Sequence, residues 1–577
     1  MKTLMLGNEA AARGLYEAGC AVVSSYPGTP STEITECAAK YDEIYAEWAP
    51  NEKVAMEVAF GASLAGKRSF CGMKHVGLNV AADPLFTISY TGVNAGMVIG
   101  VADDAGMHSS QNEQDSRHYA KAAKLPMLEP SDSAEAISFT KLAFALSERF
   151  DTPVLLKMCT RIAHSQSIVE TAAREEPPAR PYQKDAAKYV MMPGNAKRRH
   201  PVVEERLLAL ADYTETTPLN RVEEGSDASI GLICSSTAYQ YVKEACGDRY
   251  PVLKLGMIHP LPKRLILDFA AGVKRLIIVE ELDGFIEAHC SGLGLAVEGK
   301  RLFSAIGELS QNAVRRALGM APAEGRDLEE SIPPRPPVMC AGCPHRGLFY
   351  TLKKHKLNVI GDIGCYTLGA TPPLTAIDAV ICMGASVSGL HGFNKAGADA
   401  HRTVAVIGDS TFMHSGMTGL VNIAYNDSNS TVIILDNSIT GMTGHQDNPT
   451  TGRNLKGDPA AKVDLEALCR ALGIRRVRVV DPYDLAACDR AVTEELAADE
   501  PSVIIARRPC ALLKYVRHNG SLTVDADKCR GCGKCMQIGC PAISIADRKA
   551  SIDNTLCTGC GVCSQLCSFG ALGGEGK

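Results

Sequence analysis

Aromatic side chains and excess charge are both scarce in this chain of 577 residues. Aromatic residues make up 5% of it, Trp48 is its single tryptophan, and the formal net charge is -5 with a pI near 6.3. Proteins that bind nucleic acids usually present basic surfaces or aromatic rings on which bases stack. A nucleic-acid partner is therefore not expected.

Long apolar segments are also missing. Gly7, Asn8 and Glu9 interrupt the amino-terminal apolar stretch, so no signal peptide is expected. The uncharged run at residues 84–102 is long enough to span a bilayer, but Pro84 and three glycines interrupt it. We interpret this run as a buried helix or strand, a turn and a buried strand, and expect no membrane association.

The 22 cysteines are distributed unlike a disulfide framework. Eight lie in the last 49 residues and fourteen are scattered before them, whereas secreted disulfide-rich chains are short and cysteine-dense throughout. This distribution indicates a reducing cytoplasm, with cysteines that bind metal.

The pattern before the cysteine-rich tail predicts three α/β units with parallel sheets, because buried strand-like runs alternate with helical stretches. The units cover residues 1–175, 228–320 and 338–510, with linkers at 176–227 and 321–337, and the tail covers 522–577. The runs PVLKLGM (251–257) and AVICMG (379–384) are among the predicted strands.

The tail carries two cysteine motifs, C-x2-C-x2-C-x4-C-P and C-x2-C-x2-C-x3-C. In bacterial two-cluster ferredoxins each motif supplies three thiolates to one [4Fe–4S] cluster and one thiolate to the other. The first predicted cluster uses Cys529, Cys532, Cys535 and Cys567, and the second uses Cys540, Cys557, Cys560 and Cys563. Zinc is the alternative metal for such pairs. Two departures are the four-residue final spacing of the first motif and Ser568, where proline is usual.

A second motif follows two predicted strands of the third unit. Gly408-Asp409-Ser410 ends one strand, and Asp436-Asn437 ends the next after twenty-five intervening residues. The pattern is similar to the thiamine diphosphate motif, GDG followed by NN, with Ser410 and Asp436 as departures. Mg²⁺ prefers oxygen ligands beside diphosphate, so Asp409 and Asn437 are predicted ligands.

Nearly the whole chain resembles the alpha subunit of indolepyruvate ferredoxin oxidoreductase, a thiamine-dependent 2-oxoacid:ferredoxin oxidoreductase. The resemblance rests on SYPGTPSTE, NEKVAMEVAFGASLAG, MKHVGLN, CAGCPHRG, GDIGCYTLG, MGAS, the GDS and DN pair, and the tail. It implies two thiamine-diphosphate-binding folds, at 1–175 (pyrimidine-binding type) and 338–510 (diphosphate-binding and Mg²⁺-binding). It also implies a transketolase C-terminal-like domain at 228–320.

The resemblance assigns roles to single residues. Glu52 opens an E-x8-G-A helix and would hydrogen-bond the aminopyrimidine ring, with Glu57 as the competing candidate. Thr29 and Arg117 would bind the substrate carboxylate. His75 would lie near the cofactor or be a satisfied core histidine, and the backbone carbonyl of Ile439 would be a third Mg²⁺ ligand.

A third [4Fe–4S] cluster is a further implication. In related enzymes a cluster near the thiamine takes its ligands from a C-x2-C pair, a cysteine after G-x2-G and a cysteine beyond the last strand. The matching residues are Cys340, Cys343, Cys365 and Cys510. The alternative is that they line the cofactor pocket without iron.

The implied activity is oxidative decarboxylation of aryl pyruvates, with CoA and oxidised ferredoxin as co-substrates. The products would be an aryl-acetyl-CoA, carbon dioxide and reduced ferredoxin. A smaller beta subunit is the implied partner, in a heterodimer or heterotetramer. The alternatives are another 2-oxoacid, such as pyruvate or 2-oxoglutarate, and an electron-transfer subunit with a vestigial thiamine fold.

Overall fold

The structure is a computed structural model that describes residues 2–325 and 330–573. It divides into two compact units, Met1–Leu328 and Glu329–Lys577.

The main sheet of the first unit has seven strands. All neighbours are parallel except the edge strand Met257–His259, which runs antiparallel to Met127–Leu128. In spatial order the strands are Met257–His259, Met127–Leu128, Val154–Cys159, Met97–Asp103, Ser69–Lys74, Val22–Ser25 and Tyr45–Trp48. Every residue of the central strands Val154–Cys159 and Met97–Asp103 is buried, as expected where helices cover both faces of a parallel sheet.

A second sheet of five strands lies in the same unit. In spatial order its strands are Val297–Glu298, Leu276–Val279, Gly231–Ser235, Val252–Leu255 and Arg221–Glu223. Only Arg221–Glu223 is antiparallel to its neighbour. A separate antiparallel pair joins Lys2–Leu6 to Gln166–Glu170.

Fourteen helices are described in the first unit. They are Gly7–Glu17, Thr32–Ala38, Glu52–Leu64, His75–Val80, Ala82–Thr91, Arg117–Ala123, Ser133–Phe150, Thr160–His164, Ala186–Tyr189, Pro193–Thr214, Ser236–Cys246, Lys263–Ala271, Phe285–Gly292 and Gln311–Ala317.

Two expectations about this unit need correction, and a third is met. The run at 251–257 is not one strand, because it breaks at Gly256 and Met257–His259 joins the first sheet. The region predicted as a linker contributes the strand Arg221–Glu223 to the second sheet. The uncharged run at 84–102 forms most of the helix Ala82–Thr91, a turn and most of the strand Met97–Asp103. Over the residues described, the structure has no helix that is both long and apolar enough to cross a membrane.

The second unit is built on a five-stranded parallel sheet. In spatial order its strands are Asn358–Ile360, Thr403–Gly408, Thr431–Asp436, Ser502–Arg507 and Arg476–Val480. Before the tail, the α-helices of this unit are His345–Lys354, Ala385–Lys395, Asp409–Thr411, Met417–Tyr425, Leu465–Ala471 and Leu485–Leu496. Cys365–Ala370 and Ala400–Arg402 are 3₁₀-helices, and Phe412–Gly416 is a π-helical turn. The predicted strand at 379–384 is wrong, because Ala379 makes only an isolated bridge with Ile360.

The tail of the second unit contains two short antiparallel pairs. They join Thr523–Val524 to Leu572–Gly573 and Ile543–Ala546 to Lys549–Ile552. A 3₁₀-helix, Lys534–Ile538, and a helical turn, Val562–Gln565, each follow the first two cysteines of a motif.

Candidate active site and iron–sulfur centres

Two neighbouring strand ends form the predicted Mg²⁺ site. Strands Thr403–Gly408 and Thr431–Asp436 are paired in parallel, so Asp409 and Asn437 emerge at the same edge of the sheet. Asp409 is 2% exposed, and its carboxylate accepts hydrogen bonds from the Ser410 amide (2.8 Å) and the Thr450 hydroxyl (3.2 Å). Asn437 and Ile439 are also buried.

The electrostatics of Asp409 suit a cation. Burial, and secondarily the Asp436 carboxylate, raise the pKa of Asp409 to about 7. A buried carboxylate in this state gains most from an ion that compensates its charge. Asp436, which departs from the motif, is itself bound by Arg507, with Nε 2.8 Å from Oδ2. The oxygen donors Asp409 and Asn437 suit Mg²⁺ chemically, and their assignment as its ligands, with the Ile439 carbonyl, stays a prediction.

The four scattered cysteines lie beside this site. The Cys510 amide donates to the Asn437 carbonyl (2.9 Å), and a Cβ added to Gly441 would lie 3.2 Å from Cys365 Sγ and 3.9 Å from Asn437 Nδ2. Cys340 and Cys343 form a turn closed by a 3.2 Å hydrogen bond. Negative charge on Cys340 and Cys510 raises the pKa of both Cys343 and Cys365, although burial is the larger cause. The structure thus brings this set together next to the predicted cofactor.

The tail cysteines line two cavities. One, of about 340 Å³, is lined by Cys529, Cys532, Cys535 and Cys567. The other, of about 460 Å³, is lined by Cys540, Cys557, Cys560 and Cys563, together with Cys343 and Arg346. The grouping of the eight residues is the one predicted from their spacing, and their assignment as ligands stays a prediction.

The tail cysteines receive backbone hydrogen bonds, and a glycine shapes one of their loops. Backbone amides of Ala550 and Ala571 donate to Cys529 and Cys567 sulfurs, each at 3.3 Å. Gly531 has φ +63°, and a Cβ there would lie 2.0 Å from the Arg548 carbonyl oxygen, so only glycine fits this turn.

In the first unit, Glu52 begins the helix Glu52–Leu64, where the helix dipole favours an acidic residue. Its side chain is 6% exposed and lies against Gly77, since a Cβ on Gly77 would be 2.5 Å from Glu52 Oε1. Glu57 is exposed and paired with Lys53. A buried carboxylate held in one place suits a role in proton transfer better than an exposed one does.

His75 lies at the end of strand Ser69–Lys74 and is 1% exposed. Its Nε2 lies 3.3 Å from the Ser110 hydroxyl, which donates to Asp104 at 2.6 Å. Its Nδ1 is buried, and no described residue hydrogen-bonds it. Burial, and secondarily Lys74, lower the pKa of His75 to about 4, so it is neutral. His75 is therefore not a fully satisfied core histidine. Because the Ser110 proton goes to Asp104, Nε2 carries the proton of the neutral ring and Nδ1 can accept a hydrogen bond from a ligand.

Arg117 does not fit the predicted role. The side chain is 2% exposed, and all three guanidinium nitrogens are engaged within the protein. It forms ion pairs with Asp115 (2.6 Å) and Glu280 (2.7 Å) and donates to the carbonyls of Glu281 and Asp283. With its charge already compensated by two carboxylates, Arg117 joins the first sheet to the strand end at Val279 and does not present a free fork to a substrate.

Lys74 is the cation that sequence reasoning missed. Its Nζ donates to the Ser109 carbonyl (2.7 Å), and the Ser109 hydroxyl donates to the carbonyl of Thr29 (3.2 Å). A Cβ on Gly28 would lie 3.2 Å from the Cβ of Lys74, so the Thr29 loop and Lys74 are neighbours. Burial lowers the pKa of Lys74 to about 8. Its position in MKHVGLN, directly before His75, was the available signal.

Comparison with protein families matches three regions of the chain. Residues 13–221 match "Pyruvate flavodoxin/ferredoxin oxidoreductase, thiamine diP-bdg", residues 362–506 match "Thiamine pyrophosphate enzyme, C-terminal TPP binding domain", and residues 521–568 match "4Fe-4S dicluster domain".

Full-length relatives decide the family. "Indolepyruvate oxidoreductase subunit IorA" of Archaeoglobus fulgidus is 42% identical, over 98% of this chain and 96% of that protein. The protein of the same name from Methanothermobacter thermautotrophicus is 40% identical, over 100% of this chain and 98% of that one. The chain belongs to the family of indolepyruvate oxidoreductase alpha subunits. A more distant relative, "2-oxoglutarate synthase subunit KorA" of A. fulgidus, is 23% identical, over 48% of this chain and 88% of that protein.

Family membership confirms the predicted fold class and enzyme class. Like the rest of the indolepyruvate oxidoreductase family, the chain is a thiamine-diphosphate-dependent 2-oxoacid:ferredoxin oxidoreductase. It combines parallel-sheet α/β domains that bind thiamine diphosphate with a 4Fe–4S dicluster domain.

Proposed function

We propose that the protein catalyses the oxidative decarboxylation of indolepyruvate and related aryl pyruvates. CoA accepts the acyl group, oxidised ferredoxin accepts the electrons, and the products are an aryl-acetyl-CoA, carbon dioxide and reduced ferredoxin. The observation that carries the proposal is the match over almost the whole length of relatives named for indolepyruvate. The match to the 2-oxoglutarate relative is weaker and covers about half of the chain.

The proposed roles come from the resemblance, and the burial of Glu52, His75 and Asp409 supports them. When bound, thiamine diphosphate would supply the electron sink that decarboxylation of a 2-oxoacid needs. Asp409, Asn437 and the Ile439 carbonyl hold Mg²⁺ beside the diphosphate. Glu52 would hold a proton at the aminopyrimidine ring, and His75 Nδ1 would accept a hydrogen bond.

The substrate carboxylate is assigned to Lys74 and Thr29. Lys74 is half-buried and uses one donor on the Ser109 carbonyl, so its remaining N–H groups are available to an anion. A charge-assisted hydrogen bond in a partly desolvated site is stronger than one in water. The guanidinium of Arg117, in contrast, is already paired with two carboxylates.

We infer a route for the electrons from the positions of the cysteine sets. Two electrons remain for each carbon dioxide released, and iron–sulfur centres carry them singly. Cys343 belongs to the set beside the cation site and also lines the cavity of Cys540. Cys535, from the other tail set, raises the pKa of Cys563, although burial is the larger cause. We propose a third [4Fe–4S] cluster on Cys340, Cys343, Cys365 and Cys510, followed by the Cys540 set and then the Cys529 set.

Partners complete the proposal. The family relatives are named as subunits, and we propose that a smaller beta subunit joins this chain in the active enzyme. External ferredoxin takes electrons from the tail.

The decisive experiment is anaerobic reduction of ferredoxin or viologen with a panel of 2-oxoacids, with and without CoA. Indolepyruvate should give the highest kcat/KM, and full turnover should require CoA. Preference for pyruvate or 2-oxoglutarate would refute the substrate assignment. No thiamine-dependent activity with any 2-oxoacid, with the beta subunit present, would favour an electron-transfer subunit with a vestigial thiamine fold.

Iron content tests the third cluster separately. About twelve iron atoms per chain after anaerobic purification are expected for three clusters, and about eight for two, since each [4Fe–4S] core holds four. A Cys365→Ser variant should lose about four iron atoms while the tail keeps its own. Eight atoms in both proteins would refute the third cluster.

A further inference from the structure

Arg346 occupies an unusual position between two cysteine sets of the second unit. It is the second residue of the helix His345–Lys354, directly after the turn of Cys340 and Cys343. The side chain is 4% exposed. It lines the cavity of the second tail set, the one that contains Cys540.

The guanidinium joins two distant parts of the chain. On one side, Nε donates to the Cys340 carbonyl (3.2 Å) and Nη2 donates to the Met339 carbonyl. On the other side, Nη1 donates to the carbonyls of Ile538 (3.2 Å) and Gly539 (2.5 Å), which directly precede Cys540. One side chain thus holds the tail against the C-x2-C turn.

The charge of Arg346 has no carboxylate partner. Within residues 330–573, no carboxylate oxygen forms an ion pair with it, and its hydrogen bonds go to neutral carbonyls. The ionisable groups that interact with it most are thiols, those of Cys343, Cys540, Cys340 and Cys560. An uncompensated buried cation is costly, so the site needs a negative charge supplied by something other than Asp or Glu.

Iron–sulfur centres on these thiols would supply that charge. A [4Fe–4S] core held by four thiolates is anionic, and it gains one more negative charge when it is reduced. A fixed cation in a low-dielectric surrounding stabilises the more negative state more strongly than the less negative one. The reduced form is therefore the one that Arg346 favours.

The unusual spacing of the first tail motif has a matching explanation. Four residues separate Cys535 from Cys540, one more than usual in two-cluster ferredoxins. Gly539, at φ +68°, is part of this longer loop, and a Cβ on it would lie 2.8 Å from Pro373 and 3.3 Å from Arg346 Nη1. The longer loop presents the Ile538 and Gly539 carbonyls to the guanidinium.

We propose that Arg346 is a positioning residue that docks the tail and serves as the buried counter-charge of the second tail cluster, raising its reduction potential. This rests on the proposed function only in that the Cys540 set carries a cluster. The single electron accepted by that cluster comes from the cofactor side and passes on to the Cys529 set.

The test is a redox titration of the anaerobic holoenzyme, followed by EPR and without substrate. The proteins are the wild type, Arg346→Gln, Arg346→Lys and the control Lys353→Gln. Lys353→Gln removes an exposed charge from the same helix, where solvent and salt screen its effect. Iron per chain is measured for each protein.

In Arg346→Gln, the equilibrium constant for reduction of one tail cluster should fall about tenfold, which is about 59 mV for one electron. The potential of the other tail cluster should stay close to the wild-type value. In Arg346→Lys and Lys353→Gln, the potentials of both tail clusters should stay close to those of the wild type. Unchanged potentials in a fully loaded Arg346→Gln protein would overturn the proposal. If that variant does not hold its iron, Arg346→Lys decides: a wild-type potential supports the charge argument, and a tenfold loss at full iron content overturns it.

The two proposals fail in different ways. A wild-type enzyme with loaded clusters but no 2-oxoacid activity would refute the proposed function and leave the potential shift measurable. An active enzyme whose cluster reduction potentials do not change when Arg346 is replaced would refute this inference alone.

Discussion

Replacing Gly77 with alanine should separate catalysis from stability. The three atoms nearest to an added Cβ all belong to Glu52: Oε1 at 2.5 Å, Cγ at 2.7 Å and Cδ at 2.8 Å. Ordinary contact begins near 3.4 Å, so the carboxylate must move by roughly 0.9 Å. Because a flexible side chain is the only obstacle among these atoms, the clash can be relieved without moving backbone.

The substitution should therefore affect the free energy of unfolding only modestly and the reaction rate strongly. Overpacking typically costs about 1–3 kcal/mol, and alanine in place of a helical glycine returns about 0.5–1 kcal/mol. The free energy of unfolding should fall by at most about 2.5 kcal/mol. A displacement of about 1 Å at a catalytic group, in contrast, can lower the rate about 100-fold.

The assay is viologen reduction by indolepyruvate under anaerobic conditions, together with thermal unfolding. Gly194→Ala is the matched control, because its Cβ meets nothing within 4 Å and it also lies in a helix of the first unit. Glu52→Gln gives the effect of removing the acid, about 10²–10⁴-fold for a general acid–base group. Wild-type kcat/KM in Gly77→Ala, at unchanged cofactor content, would show that the position of Glu52 does not matter for the reaction.

Three further predictions follow from the same contacts. Burial lowers the pKa of Lys74 to about 8, so its charge is present below that pH and lost above it. We therefore expect kcat/KM to fall above about pH 8 and this fall to move to higher pH in Lys74→Arg. A fall at the same pH in both proteins would contradict the role of Lys74. Arg117→Gln removes the cation that pairs with two buried carboxylates, and this should cost about 3–5 kcal/mol of stability. The unfolding temperature should fall while KM stays unchanged. A raised KM at wild-type stability would show that Arg117 binds the substrate. Asp409→Ala should abolish Mg²⁺-dependent binding of thiamine diphosphate in calorimetry, and retained binding would exclude Asp409 as a ligand.

Local chemistry made much of the site predictable. The two-cluster ferredoxin pattern, in which each motif gives three thiolates to one cluster and one to the other, grouped the eight tail residues as the two cavities do. The strand-ending Asp409 and Asn437 were similarly predictable, because parallel strands that are neighbours end at one edge. Glu52 came from the resemblance, and its burial, against the exposure of Glu57, distinguishes the two candidates.

Strand predictions failed where composition did not decide the pairing. AVICMG has the apolar composition of a buried strand, but only Ala379 bridges to Ile360 before the chain enters a helix. PVLKLGM has one continuous pattern, yet Gly256 lets the chain leave one sheet and join another. In both cases the partner strand, which lies elsewhere in the sequence, determined the outcome.

The amino-acid sequence by itself determined the cofactor class, the alternation of strands and helices, and the two cysteine motifs of the tail, because these depend on residues close together in the chain. Only the tertiary structure decided the partners of the three cations. Arg117 pairs with Glu280, 163 residues away. Lys74 donates to the Ser109 carbonyl, and Arg346 donates to the Ile538 carbonyl, 192 residues away. The residue type alone does not reveal the partners of a cation, because the fold decides which charged groups and carbonyl oxygens surround it.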